Sequence, residues 1–125
     1  MSRSKAEAGA GSRSVARQRA RAVTGAAPVF AALGDARRLA LLARLSTEGP
    51  LSITELASGS EVTRQAITKH LEVLAGAGLV RDARAGRERL FELEPRPLAD
   101  ARRHLDGISA RWDAAIERLR AKVER

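Results

Sequence analysis

Large apolar side chains are nearly absent from the first 24 residues and then return at regular intervals. Val29, Phe30 and Leu33 make one short stripe, with Pro28 suited to a first helical turn and Gly34 to a helix end. Asp35 stands as an N-cap before Leu39, Leu42 and Leu45 at three-residue spacing, and Gly49-Pro50 breaks that helix. Ser52-Ile53-Thr54-Glu55 is a capping box, in which Ser52 and Glu55 satisfy each other's orphan amides. It opens a short helix to about Ser58, with Ile53, Leu56 and Ala57 facing inward. After the turn Gly59-Ser60-Glu61-Val62, Thr63 caps a helix that runs to about Ala75. At about 100° per residue, Ala66, Ile67, Leu71 and Leu74 share one face of it, and Gln65, Thr68, Lys69 and Glu72 the other. Two short helices around a glycine-bearing turn form a helix-turn-helix.

Ala75-Gly76-Ala77-Gly78 stops the second helix, and the period then changes. Leu79 to Ala83 and Glu88 to Leu93 read as two strands around Arg84-Ala85-Gly86-Arg87, a hairpin with glycine at its tip. Phe91 and Leu93 alternate inward, whereas Leu90 breaks the alternation and leaves the register open. Beyond Pro95 and Pro97, the residues Leu98, Ala101, Leu105, Ile108, Trp112, Ala115, Leu119 and Val123 recur at spacings near 3.5. They predict a terminal helix of about 27 residues, about 40 Å long. That is longer than a small three-helix core can cover, so its stripe calls for a second copy of the chain.

The expected fold is therefore mainly α with a β-hairpin wing. It is a winged helix-turn-helix that dimerises through its N-terminal and long C-terminal helices. Val29, Phe30, Leu33, Leu98, Leu105, Ile108, Trp112 and Leu119 are the expected interface. Trp112, on such a stripe, reads as packing rather than as the wall of a ligand pocket.

Composition narrows the function. The chain has 125 residues, enough for one domain of ordinary size, here placed at 25–125. Its net charge of +8 favours acidic partners. Much of that charge sits in residues 1–24, which hold six basic groups and one acid, Glu7. Too apolar-poor to offset its ordering entropy, this stretch reads as a disordered basic tail. A loose arm on DNA phosphates and a transit peptide share its composition. The domain proper is only mildly basic, so local clusters must carry any nucleic-acid argument.

Cysteine is absent, which removes disulfides, thiolate metal sites and cysteine nucleophiles. With only His70 and His104, a multi-histidine metal site within one chain is not expected. No catalytic triad, phosphate-binding glycine loop or ligand cluster appears, so neither an enzyme nor a resident cofactor or metal is expected. Nor is there an apolar run of about eighteen residues that would span a membrane.

Four stretches in order carry a family resemblance. Val29 to Arg38 (VFAALGDARR), Gln65 to Leu74 (QAITKHLEVL), Ala77-Gly78-Leu79-Val80, and Gly86 to Leu93 (GRERLFEL) resemble the ArsR-type (ArsR/SmtB) bacterial regulators. The likeness covers about residues 26–123. It implies a homodimeric transcription regulator, a repressor in a bacterial cytoplasm, bound to an inverted-repeat operator on double-stranded DNA. Two departures weaken a metal-sensing role. Metal-sensing members carry Cys-x-Cys in the first helix of the helix-turn-helix, where this chain has Glu55-Leu56-Ala57-Ser58-Gly59-Ser60. Others use Asp and His pairs on the terminal helix, where Asp100 and His104 have no second histidine downstream. Ala36 also stands where proline is common in the family, a change that a helix start tolerates.

The DNA-binding candidates follow from helix phase and charge. Gln65, Thr68 and Lys69 face outward on the second helix, with Arg64 at its margin, where a major groove admits side chains to base edges. Thr63 is a cap whose hydroxyl can also meet a phosphate. His70 sits at the edge of the buried face, either a hydrogen-bonded boundary residue or, as the resemblance implies, a DNA contact. Arg84 and Arg87 at the hairpin tip are the expected phosphate or minor-groove contacts. Arg89 stays open between DNA and an ion pair across the hairpin. The competing reading is a winged-helix protein-interaction module that does not read DNA. Operator, regulated genes and any small-molecule effector are not written in the sequence.

Overall fold

Helix α1, residues 25–33, ends where the Gly34 amide donates to the Ala31 carbonyl at 3.2 Å. Asp35 then caps helix α2 (Ala36–Glu48): its carboxylate accepts from the Arg37 and Arg38 amides at 2.9 and 3.1 Å. These positions come from a computed structural model that describes Arg17 and residues 25–124. The basic tail expected over residues 1–24 lies outside the described residues, except for Arg17, which is helical and exposed.

Arg38 returns across the α1–α2 corner. Its guanidinium donates to the carbonyls of Ala32 at 2.6 Å and Ala31 at 3.3 Å, two of the acceptors that the end of α1 leaves open. The buried face of α2 differs from the expected one. Leu41, Leu42 and Leu45 are buried while Leu39 is half exposed. Three-residue spacing alone drifts around a helix of 3.6 residues per turn, and the core lies on the Leu41 side.

Strand β1 (Leu51–Ser52) pairs antiparallel with β3 (Glu88–Leu93), Leu51 opposite Phe91, and β2 (Val80–Ala85) flanks β3 on its other edge. The hairpin is thus one part of a three-stranded sheet in the order β1-β3-β2. Ser52 closes β1 and opens helix α3 (Ile53–Ala57) through the capping box. Its hydroxyl accepts from the Glu55 amide at 3.1 Å, and its own amide donates to the Glu55 carboxylate at 3.2 Å.

Helix α4 (Arg64–Gly76) is capped by Thr63, whose hydroxyl accepts from the Ala66 amide at 3.2 Å. Its far end closes in two bonds: the Gly78 amide to Ala75 and the Leu79 amide to Leu74, both at 2.9 Å. That closure needs a left-handed residue, and Gly78 supplies it at φ +77°. Ile67, Leu71 and Leu74 of α4 pack with Leu56 and Leu79 at the centre of the core.

Helix α5 (Pro95–Val123) carries both prolines in its first turn instead of starting after them. Neither position needs an amide for the helix ladder, so both are tolerated there. Its 29 residues extend about 43 Å. Leu98 packs against the core and Ala101 is buried. From Leu105 onward the apolar stripe is exposed, including Leu105 at 52% and Trp112 at 69%.

Candidate nucleic-acid interface

Because Ile67, Leu71 and Leu74 fix one face of α4 in the core, the opposite face is forced outward. Arg64, Gln65, Lys69 and Glu72 are exposed there, Thr68 is half-buried, and the five line one shallow concavity. Gln65 carries the two-sided amide that matches adenine, and Lys69 a mobile cation. The Thr68 hydroxyl donates to the Arg64 carbonyl at 2.8 Å. That commits its proton to the helix and leaves a methyl and an acceptor oxygen for a base edge. Thr63 is exposed and its oxygen is engaged in capping.

His70 lies apart from this set. It is half-buried and lines a cavity between α2, α3 and the turn before α4, near enough to Asp35 to help lower that carboxyl's pKa. The leading cause of that lowering is the hydrogen bond from the Arg38 amide.

The wing resolves which arginines are free. Arg89 grips Asp82 with two nitrogens, at 2.7 and 3.2 Å, and its guanidinium sits 4.9 Å from the centroid of Phe91. The Asp82 carboxyl is held below the usual carboxylate range, chiefly by that hydrogen bond. Arg81 is likewise consumed by Glu92 and, at 3.3 Å, by Glu94. Arg84 and Arg87 are exposed, and among the described residues neither has a carboxylate within salt-bridge distance. β3 has its expected bounds, but β2 runs two residues past the expected Ala83, so the turn is Gly86-Arg87 alone and Arg84 lies within β2, opposite Arg89. Gly86 makes so tight a turn possible at φ +64°. Arg87 is at the tip and Arg84 on its shoulder.

Behind the interface, Arg44 fastens the helix-turn-helix to α2. Its guanidinium donates to the carbonyls of Leu56 (3.0 Å) and Glu55 (3.3 Å) at the end of α3, while Glu48 holds it at 2.8 Å. This clamp is absent from the sequence reading, since an i,i+4 Arg/Glu pair on a helix usually marks only a solvated face.

Of the expected interface residues, Val29 is taken up by the chain's own core, and Phe30, Leu33 and Leu98 are partly buried against it. Leu105, Ile108, Trp112 and Leu119 stay exposed, joined by Ile116 and Val123. At 3.6 residues per turn Ile116 lies closer to the centre of this stripe than Ala115, the position that a strict 3.5-residue repeat selects. Asp100 pairs with Arg103. No group of three or more His, Cys, Asp or Glu side chains that could hold a metal occurs among the described residues.

Comparison with known proteins agrees with this geometry. A helix-turn-helix domain family matches residues 33–83. The HTH-type transcriptional regulator Rv2034 of Mycobacterium tuberculosis is 45% identical over 85 residues, 68% of this chain and 76% of that protein. A Bacillus subtilis HTH-type transcriptional regulator, YuzN, is 41% identical over 76 residues, 56% of this chain and 83% of its own length. Among solved structures, an ArsR-like transcriptional regulator from Rhodococcus sp. RHA1 superposes with a TM-score of 0.69 at 36% identity, covering 78% of this chain and 91% of that one.

Proposed function

The chain belongs to the ArsR-type family of DNA-binding helix-turn-helix transcription regulators, and from that premise we propose that it is a homodimeric, cytoplasmic repressor of an inverted-repeat operator. In this reading α4 enters the major groove, with Gln65, Thr68 and Lys69 against base edges and Arg64 toward the backbone. Thr63 stands at the groove's rim, and Arg84 and Arg87 of the wing neutralise phosphates. His70 supports α4 from behind, since its ring lines the cavity toward α2. The protein carries out no chemistry on its ligand, and repression rather than activation follows the resemblance to the ArsR-type regulators.

One observation carries the reading: the outward face of α4 is polar and basic, and the two exposed arginines of the wing tip are uncommitted to carboxylates among the described residues. Val73 is the one large apolar side chain exposed on that helix, too little for a protein-docking patch. The second copy rests on the exposed α5 stripe from Leu105 to Val123, continuous with Leu98 and Ala101 in the core.

Retention on random duplex DNA at rising salt tests the DNA reading. Several phosphate contacts per dimer give a logarithmic loss of affinity with a slope of about −0.9 per contact. No retention at low salt, or an affinity indifferent to salt, would favour the protein-interaction module.

A further inference from the structure

A cavity of about 360 Å³ lies between α2, α3 and the turn that leads into α4. Leu41, Leu56, Val62 and Ile67 contribute its apolar lining, and Ser58 and Ser60 its polar edge. Three basic side chains, Arg37, Arg44 and His70, also line it. A cavity of this size that sets polar and cationic groups around an apolar floor has the character of a small-molecule site.

The basic groups are not equivalent. Arg44 is occupied by Glu48 and by the carbonyls of Leu56 and Glu55. His70 is half-buried on the α4 side of the cavity, and the Asp35 carboxylate near it is spent on capping α2. Arg37 is exposed, and among the described residues its guanidinium has no carboxylate within salt-bridge distance. It is the cation left to meet a ligand charge, and its forked donors suit a carboxylate. A bare phosphate would satisfy Arg37 and leave the apolar floor empty, which favours an organic anion over the DNA backbone.

We propose that this cavity binds a small organic carboxylate with an apolar body, its carboxylate on Arg37 and its body against Leu41, Val62 and Ile67. Ser58, Gly59 and Ser60 belong to the turn that sets the angle between α3 and α4, so an occupant touches the segment that aims the recognition helix. The site itself does not depend on DNA binding, whereas its use as a signal input rests on the regulator reading above.

The test uses the full chain, uniformly ¹⁵N-labelled, and three probes: 2-naphthoate, the neutral 2-naphthalenemethanol and inorganic phosphate. The expected result is saturable shifts from naphthoate at the amides of residues 58–62 and at the His70 ring. Naphthalenemethanol binds about tenfold more weakly, as loss of one charge-assisted hydrogen bond implies, and Arg37→Gln weakens naphthoate by a similar factor. Arg37 is exposed, so that variant keeps the fold, which its unliganded spectrum verifies. Phosphate shifting the same residues as strongly as naphthoate would overturn the proposal in favour of a backbone contact. Shifts confined to the Trp112 indole and the α5 stripe, or no saturation, would overturn it as well. Retention on duplex DNA, measured separately, would then still stand or fall on its own.

Discussion

In the proposed DNA complex, Gln65 and Arg87 would make different kinds of contact. Gln65 is exposed two residues past the Thr63 cap, near the start of α4, and its amide would suit an adenine edge there. Gln65→Ala is expected to cost about 1–3 kcal/mol on the specific site and much less on random duplex, measured by anisotropy on both. Equal losses on the two would remove its base-reading role. Arg87 is exposed at the wing tip and, in the same reading, would act as charge on a phosphate. Arg87→Ala is expected to weaken both duplexes and to reduce the salt slope by about one per contact, so by about two per dimer. An unchanged slope would show that the wing does not touch the backbone. Helix phase made Gln65, Thr68 and Lys69 legible in the sequence, because local periodicity decides them. The fate of the arginines was not legible in the same way. Whether Arg89 meets DNA or Asp82 depends on strand register, and Leu90 had blurred the register.

Among the elements, those set by local chemistry match their sequence signals. Asp35, Ser52 and Thr63 all cap the helices they precede, because a cap needs only the next three amides. Strand β1 has no such signal: two residues count as a strand only because Leu51 and Ser52 meet Phe91 and Leu90 almost forty positions away. The buried face of α2 is also a tertiary decision, made by the core that accepts Leu41 and refuses Leu39. Two glycines put the local rules to a quantitative test. Gly78 holds a left-handed turn with the Pro97 ring 3.6 Å from where a Cβ would stand, so Gly78→Ala is expected to destabilise by about 1 kcal/mol. Gly107 lies inside α5 with only the mobile end of Arg111 nearby, and it is off the apolar stripe. Gly107→Ala is expected to stabilise by about 0.5–1 kcal/mol in urea unfolding. The opposite order would mean that backbone conformation does not govern either site.

At the scale of the whole molecule, the helix that completes the fold also outgrows it. Past Ala101, α5 carries Leu105, Ile108, Trp112, Ile116, Leu119 and Val123 along one exposed stripe. A two-fold partner would cover each stripe with its own copy and place two α4 helices for two half-sites. Leu105→Ala is expected to cost the dimer about 2–5 kcal/mol per copy and to shift sedimentation at micromolar concentration toward monomer. A wild-type chain that sediments as a stable monomer would leave the stripe unexplained. Selection of bound duplexes from a random library tests the reading most directly, because it asks for sequence preference and two-fold symmetry together. The account predicts enrichment of an inverted repeat whose half-site centres lie about one helical turn, 10–10.5 base pairs, or a multiple of it apart. Enrichment of no motif, or of a single unrepeated half-site, would contradict it.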